Sequence, residues 1–295
     1  MKRLFALLSI GLLLLSGCRI APENKSTYQR VAVLFSSFAE IWQLAGGEVS
    51  ITVGESVERG ICREDVLLVD QGAGKTIDLE LLLSYEPDLV IGSTDIAAHC
   101  DAVAVLEQAG IPAQLFRVDT FEDYLGFLKY ATEITGNSAA YQKYGVDQQK
   151  EINAILQKAS GIQAAPKVLF IRSGSGASSA KAKKADQHFA AGMLLELGAA
   201  NIADRAPILL DGLSLEEILR EDPTHIFIST MGKEEAAKAY MDSLLAQPAW
   251  QALSAVKGRR YTYLPKDLFQ YKPNARWAEA YRTLASILYP EQFDE

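Results

Sequence analysis

Cysteine and histidine are scarce in this chain, three of each among 295 residues. No paired Cys/His spacing of the zinc type occurs, which excludes a finger or ribbon metal site. Basic charge is also short, 29 Lys and Arg against 37 Asp and Glu, a formal net charge of -8. That deficit argues against a general nucleic-acid binder, which needs a basic excess to neutralise phosphates. Neither a Gly-x-Ser-x-Gly elbow nor a His-Glu-x-x-His pair is present. Carboxylates are plentiful, yet no pair of them is singled out for acid–base work. Long apolar runs are missing outside the extreme N-terminus. What remains is 49% hydrophobic and 22% charged, a globular composition that excludes disorder and coiled coil.

The N-terminus reads as an address. Lys2 and Arg3 precede an apolar run from Leu4 to Leu15, then Ser16-Gly17-Cys18. A positive start, a short apolar stretch and small residues before a cut describe a secretory signal. A dozen residues fall short of the roughly 20 that span a bilayer. Leu15-Ser-Gly-Cys18 resembles the lipobox of bacterial lipoproteins, which implies cleavage after residue 17 and a diacylglycerol on the Cys18 sulfur. Two acyl chains suffice for stable attachment. Residues 18–29, polar and aperiodic, read as a tether between membrane and folded body. The expected setting is therefore extracytoplasmic and membrane-anchored. It permits a disulfide between Cys62 and Cys100, and the sequence leaves that pairing open.

Past the tether, strand-like runs alternate with helix-period segments. Arg30–Leu34, Asp88–Ile91, Gln114–Val118, Lys167–Ile171 and His225–Ile228 read as strands. Phe38–Ala45, Asp101–Gln108, Asp186–Leu197, Glu234–Ala246 and Ala275–Leu288 read as helices. Another helix opens on a Thr120/Asp123 capping box and stops at Gly136. Such alternation predicts an α/β protein with mostly parallel sheets covered by helices. A polar helical stretch, 138–161, interrupts it. The expected layout is an N-terminal lobe over 30–137, a bridging helix over 138–161 and a C-terminal lobe over 162–295.

An internal echo supports two lobes. Ile77-Asp-Leu-Glu80 leads after seven residues to Pro87 and a strand ending in Ser93-Thr94. Leu213-Ser-Leu-Glu216 leads after the same interval to Pro223 and a strand ending in Ser229-Thr230. Each lobe is expected to contain the same helix–strand unit.

Two phosphate-loop look-alikes fail. Gly72-Ala-Gly-Lys75-Thr76 lacks the earlier glycine, since Val69 stands there, and reads as a turn. Ser173-Gly-Ser-Gly176 follows a strand, but Ser179 occupies the third glycine position of a dinucleotide loop.

In order along the chain, several stretches resemble the substrate-binding lipoproteins of ABC importers for vitamin B12, ferric siderophores and haem. They are Val31–Gly46, the repeated Leu-Glu-x6-Pro unit, Gly110-Ile-Pro112, Leu194-Leu-Glu-Leu-Gly198 with Asn201-Ile-Ala, and Pro248-Ala-Trp250 with Ala255-Val-Lys-Gly-Arg259 and Tyr261. The resemblance implies two α/β lobes joined by one helix, little hinging, and a ligand cleft between lobes. It also implies docking on the importer's membrane subunits through one glutamate per lobe, here Glu80 and Glu216, with Glu217 leaving the register open by one.

Candidate ligand-binding residues follow from strand ends, where open α/β sheets place ligands. They are Ser37, Arg59 and Thr94 in the first lobe, and Arg172, His188, Met231, Tyr271, Lys272 and Arg276 in the second. Arg172 directly follows a strand, and a guanidinium can take a carboxylate bidentately. Lys181, Lys183 and Lys184 are either part of the site or a solvated basic loop. Trp250 and Trp277 are expected mainly as packing. The expected function is a monomeric receptor for a ferric siderophore or haem-type complex, with no cofactor and no resident metal. A corrinoid is the alternative cargo within the class, and an anchored carboxylate-dependent hydrolase the alternative outside it. A metal-ion receptor would need convergent His and carboxylates that these loops lack.

Overall fold

A computed structural model describes residues 27–163 and 165–293. The signal, Cys18 and most of the tether lie outside the described residues. Among those described, no helix is long and apolar enough to cross a membrane.

The first lobe is a five-stranded parallel sheet. Its strands are β1 (Val31–Val33), β2 (Ile51–Thr52), β3 (Leu67–Leu68), β4 (Leu89–Ser93) and β5 (Ala113–Phe116), in the order β3-β2-β1-β4-β5. Side chains alternate between its faces as the pleat requires. Val31, Val33, Leu89 and Ile91 enter one core, and Ala32, Leu34 and Val90 the other. The second lobe comprises β6 (Lys167–Ser173), β7 (Ala180–Ala182), β8 (Ala200–Asn201), β9 (His225–Thr230) and β10 (Tyr261–Tyr263). Its order is β10-β9-β6-β7, parallel except for the antiparallel β6–β7 hairpin, and β8 pairs in parallel with the start of β6. Strands β2, β3, β7, β8 and β10 are two or three residues long, too short to leave a readable period.

The repeated unit is real at backbone level. The helix Leu79–Ser84 and the helix Leu215–Glu221 each give way to a left-handed residue before proline, Glu86 at φ 49° and Asp222 at φ 42°. The residue after each proline then donates its N–H beside the first strand of its own sheet: Asp88 to the Arg30 carbonyl at 3.0 Å, and Thr224 to the Lys167 carbonyl at 2.7 Å.

Between the lobes the chain is helical from Ser138 to Ser160, with a π turn over Gln142–Val146. The Tyr124 hydroxyl donates to the Tyr144 carbonyl within that turn at 3.1 Å. Gly145 lies against Leu125 and Leu128, where a Cβ would meet Leu125 at 3.0 Å. The helix packs on Trp277–Leu288, whose Ala278 N–H donates to Gln148 Oε1 at 2.8 Å. One apolar core crosses the lobes: it takes in Trp42 and Phe127, Ile152 and Ile155 of the bridge, and Phe170 and Trp277. Lobes that share a core cannot swing apart without exposing it.

Candidate functional site between the lobes

The C-terminal ends of β1 and β5 face the segment 265–276 of the second lobe. Ser36 and Ser37 begin the helix Ser36–Leu44 immediately after β1 and are buried. Arg59 Nη1 donates to both hydroxyls, at 2.9 Å to Ser36 and 3.2 Å to Ser37, and Nη2 lies 3.4 Å from Glu40 Oε2. Its guanidinium stacks over the Tyr271 ring, 4.0 Å from the centroid, a contact between lobes. Asn274, buried in a left-handed conformation at φ 50°, donates to the Ser37 carbonyl at 2.9 Å and to Glu40 at 2.8 Å. Burial pushes the Glu40 carboxyl up, while Asn274 and Arg59 pull it back.

The second lobe contributes a field of cations. Arg172, near the end of β6, is half-buried and stands opposite Lys181 of β7 in the antiparallel register. Like charges directly opposed across a ladder repel. Lys183 follows, its ammonium pushed down first by burial, then by Arg172 and Lys181. Among the described residues none of these three has a carboxylate partner within ion-pair distance. Gln270 is Arg172's neutral neighbour. Its amide satisfies both sides when the oxygen faces Arg172 Nη2 at 3.1 Å and the nitrogen faces the Thr230 carbonyl at 3.3 Å. Lys272 is the cation that does reach a carboxylate, 3.1 Å from Asp119 of the first lobe, with its ammonium 5.0 Å from the Phe189 ring centroid.

Beside that pair a cavity of about 330 Å³ opens between the lobes, with Asp119, His188, Phe189 and Trp277 in its lining. Trp277 packs edge-on against Phe121 and Phe189, both at 5.8 Å, and its Nε1 has no hydrogen-bond partner among the described residues. The Thr230 hydroxyl at the end of β9 is likewise buried and unpartnered there. The site can therefore offer cations, orphaned donors and aromatic faces, a set suited to a bulky ligand with acidic groups.

A sequence profile described as a periplasmic binding protein matches residues 31–268. The chain belongs to the periplasmic binding protein family. Members of this family are non-enzymatic substrate-binding proteins of ABC transporters, which sets the hydrolase alternative aside. No curated protein matches the chain. Among solved structures it is similar to the haem-binding protein RhuT of Roseiflexus sp. RS-1 in apo form, at 20% identity and a TM-score of 0.72 over 89% of this chain and 98% of that one. It is also similar to a periplasmic haem-binding protein of Pseudomonas aeruginosa, at 21% identity and TM-score 0.70 over 90% and 94% of the two chains. The haem-complexed IsdE of S. aureus aligns at 14% identity and TM-score 0.70 over 88% and 98%. At these identities the likeness carries the fold.

In this periplasmic binding protein the residues expected at the ligand divide into groups. Ser37, Arg59 and Tyr271 come together in contact, and Arg172, His188 and Lys272 lie close enough that the cations act on the imidazole. Thr94 and Met231 follow the central strands β4 and β9, Thr94 exposed and Met231 half-buried. Two members also carry structural contacts of their own. His188 is the N-cap of the helix Phe189–Glu196, its Nδ1 accepting from Ala190 N at 3.2 Å, and its ring sits between Phe170 and Phe189 at 4.7 and 4.8 Å. Burial, then Arg172, Lys272 and Lys183, push its pKa well below the usual range, so it stays neutral. Arg276 is taken up by Asp267 and by both oxygens of Glu279, at 2.6 and 2.7 Å. Asp119, Gln270 and Asn274 were missed. Asp119 is masked in sequence by the capping box that follows it, and lone amides carry no pattern.

The remaining motifs have defined places in the fold. Gly74, at φ 77°, closes a turn by donating to Asp70 Oδ2 at 2.6 Å, and its carbonyl meets His99 Nε2 at 2.8 Å. Cys62 is buried and Cys100 exposed, both as free thiols. Glu80 and Glu216 are exposed in the first turns of their helices, while Glu217 is engaged with Arg220.

Proposed function

We propose that this protein captures an anionic ferric complex of the siderophore or haem type between its lobes. It then delivers the complex to an ABC importer, docking through Glu80 and Glu216 while a lipid on Cys18 holds it to the membrane. One observation carries the cargo class: Arg172, Lys181 and Lys183 converge at the end of β6 with no carboxylate among the described residues to neutralise them. A half-buried guanidinium without a counter-charge is costly, and an acidic ligand relieves that cost. The haem-binding descriptions of several similar structures fit this reading. Among the described residues Glu217 pairs with Arg220 and Glu216 has no ion-pair partner, which supports the equivalence of Glu216 with Glu80.

The test is a titration of the soluble protein from Arg19 onward, followed by tryptophan fluorescence, since Trp277 lines the cavity. Ferric siderophores, haem, cobalamin and cobinamide form the panel, with mass spectrometry checking that each ligand stays intact. A ferric complex is expected to bind one-to-one. Arg172→Ala should weaken it about tenfold, the equivalent of one charge-assisted contact of about 1.4 kcal/mol. Saturable binding of a corrinoid alone would move the cargo to that class, and a chemically altered ligand would end the receptor reading.

A further inference from the structure

Three consecutive residues on one loop each engage a group facing the cleft. Gln270 meets Arg172, Tyr271 lies under Arg59, and Lys272 meets Asp119. The loop is anchored on both sides of this triplet. Before it, Lys266 Nζ donates to the Gly232 carbonyl at 3.1 Å and Ser229 Oγ to the Phe269 carbonyl at 3.0 Å. After it, Asn274 is hydrogen-bonded to the first lobe. The anchors are fixed to backbone or buried, whereas the triplet's contacts join side chains that could be exchanged for ligand groups.

The Asp119–Lys272 pair is the informative one. Asp119 already has a cation of its own lobe, Arg117 Nε at 2.5 Å, so it does not need Lys272. Lys272 needs an anion: its side chain is 18% exposed, burial pushes its ammonium down, and Asp119 is its one ion-pair partner among the described residues. The geometry points to Asp119 as an internal counter-anion that occupies Lys272 and is exchanged for an acidic group of the cargo. This rests on the anionic-cargo reading above. Such a carboxylate lowers affinity for every ligand that must displace it, and it discriminates most against ligands with no acidic group, which cannot take its place. Asp119 is thus an affinity- and specificity-setting residue rather than a ligand contact.

The test compares the native protein with Asp119→Asn and with Asp95→Asn. Asp95 lies 3.6 Å from Arg117 and acts on Lys272 only at a distance, so its variant makes the same change of net charge while leaving the Asp119–Lys272 pair in place. Probes are haem, a ferric tris-catecholate and cobinamide, which has no carboxylate. Asp119→Asn is expected to lower the Kd of whichever anionic complex binds by at least threefold, with Asp95→Asn near native. Under limiting acetylation read by mass spectrometry, Lys272 should react several-fold faster in Asp119→Asn than in the native protein. An unchanged or weaker Kd in Asp119→Asn, or equal gains in both variants, overturns the exchange while leaving the cargo reading intact. Equal Lys272 reactivity in the native protein and Asp119→Asn also overturns it. Failure of all three proteins to bind either ferric complex overturns the cargo reading, and the exchange with it.

Discussion

His188 shows how one side chain can serve the fold while lining a cavity. It stands in the wall between the lobes, and it is also a helix cap that works only when neutral. An imidazolium has no Nδ1 lone pair to accept the Ala190 N–H. Its folded pKa lies below the ordinary value of 6.5, as do those of buried His99 and half-buried His225. As pH falls below about 6.5 the unfolded chain therefore takes up protons first, and stability falls. Glu40, whose carboxyl burial raises above its ordinary value, acts in the opposite sense as pH falls, offsetting part of the loss. The thermal midpoint should drop between pH 7 and pH 5. His188→Asn, which keeps a capping oxygen and removes a titrating ring, should flatten that slope in calorimetry.

At the scale of elements, the bridging helix was legible as a polar helical stretch, but its π turn was not. A π turn leaves the regular ladder and needs outside partners. Here the Tyr124 hydroxyl, on a fully buried side chain of the neighbouring helix Phe121–Thr135, supplies one to the Tyr144 carbonyl. Tyr124→Phe is expected to destabilise the protein by about 1–2 kcal/mol, the cost of a lost buried hydrogen bond. Hydrogen exchange should show faster exchange over 142–148 and little change in the sheets. Uniform exchange would mean the π turn is held by Gly145 packing alone. The capping box at Thr120 and Asp123 and the left-handed Gly136 were both readable, because each is a local signature.

For the whole molecule the question is how two lobes act as one receptor. The shared core running from Trp42 through Ile152 to Trp277 makes large opening costly, so recognition by an importer must rest on surface features more than on closure. Glu80 and Glu216 repeat one structural unit in two lobes, and a pair of exposed acids suits a membrane partner that is itself two-fold. Charge reversal of both should abolish uptake in cells while the purified protein keeps its native Kd. Intact uptake would remove them from docking. Each single reversal should fall between, since two equivalent contacts share the load.

Local pattern determined much of this protein. The alternation of strand and helix, the duplicated Leu-Glu-x6-Pro unit and the strand-end position of Arg172 all lie within stretches of a few to a score of residues. There periodicity and capping speak directly. Only the tertiary structure decided which charges meet. Lys272 and Asp119 are 153 residues apart in the chain, and Arg59 reaches Tyr271 from the other lobe. Whether a cation stands without a carboxylate among the described residues, as Arg172 does, or is consumed, as Arg276 is, depends on what folding brings near, because electrostatic coupling acts through space and falls with distance, not with sequence separation.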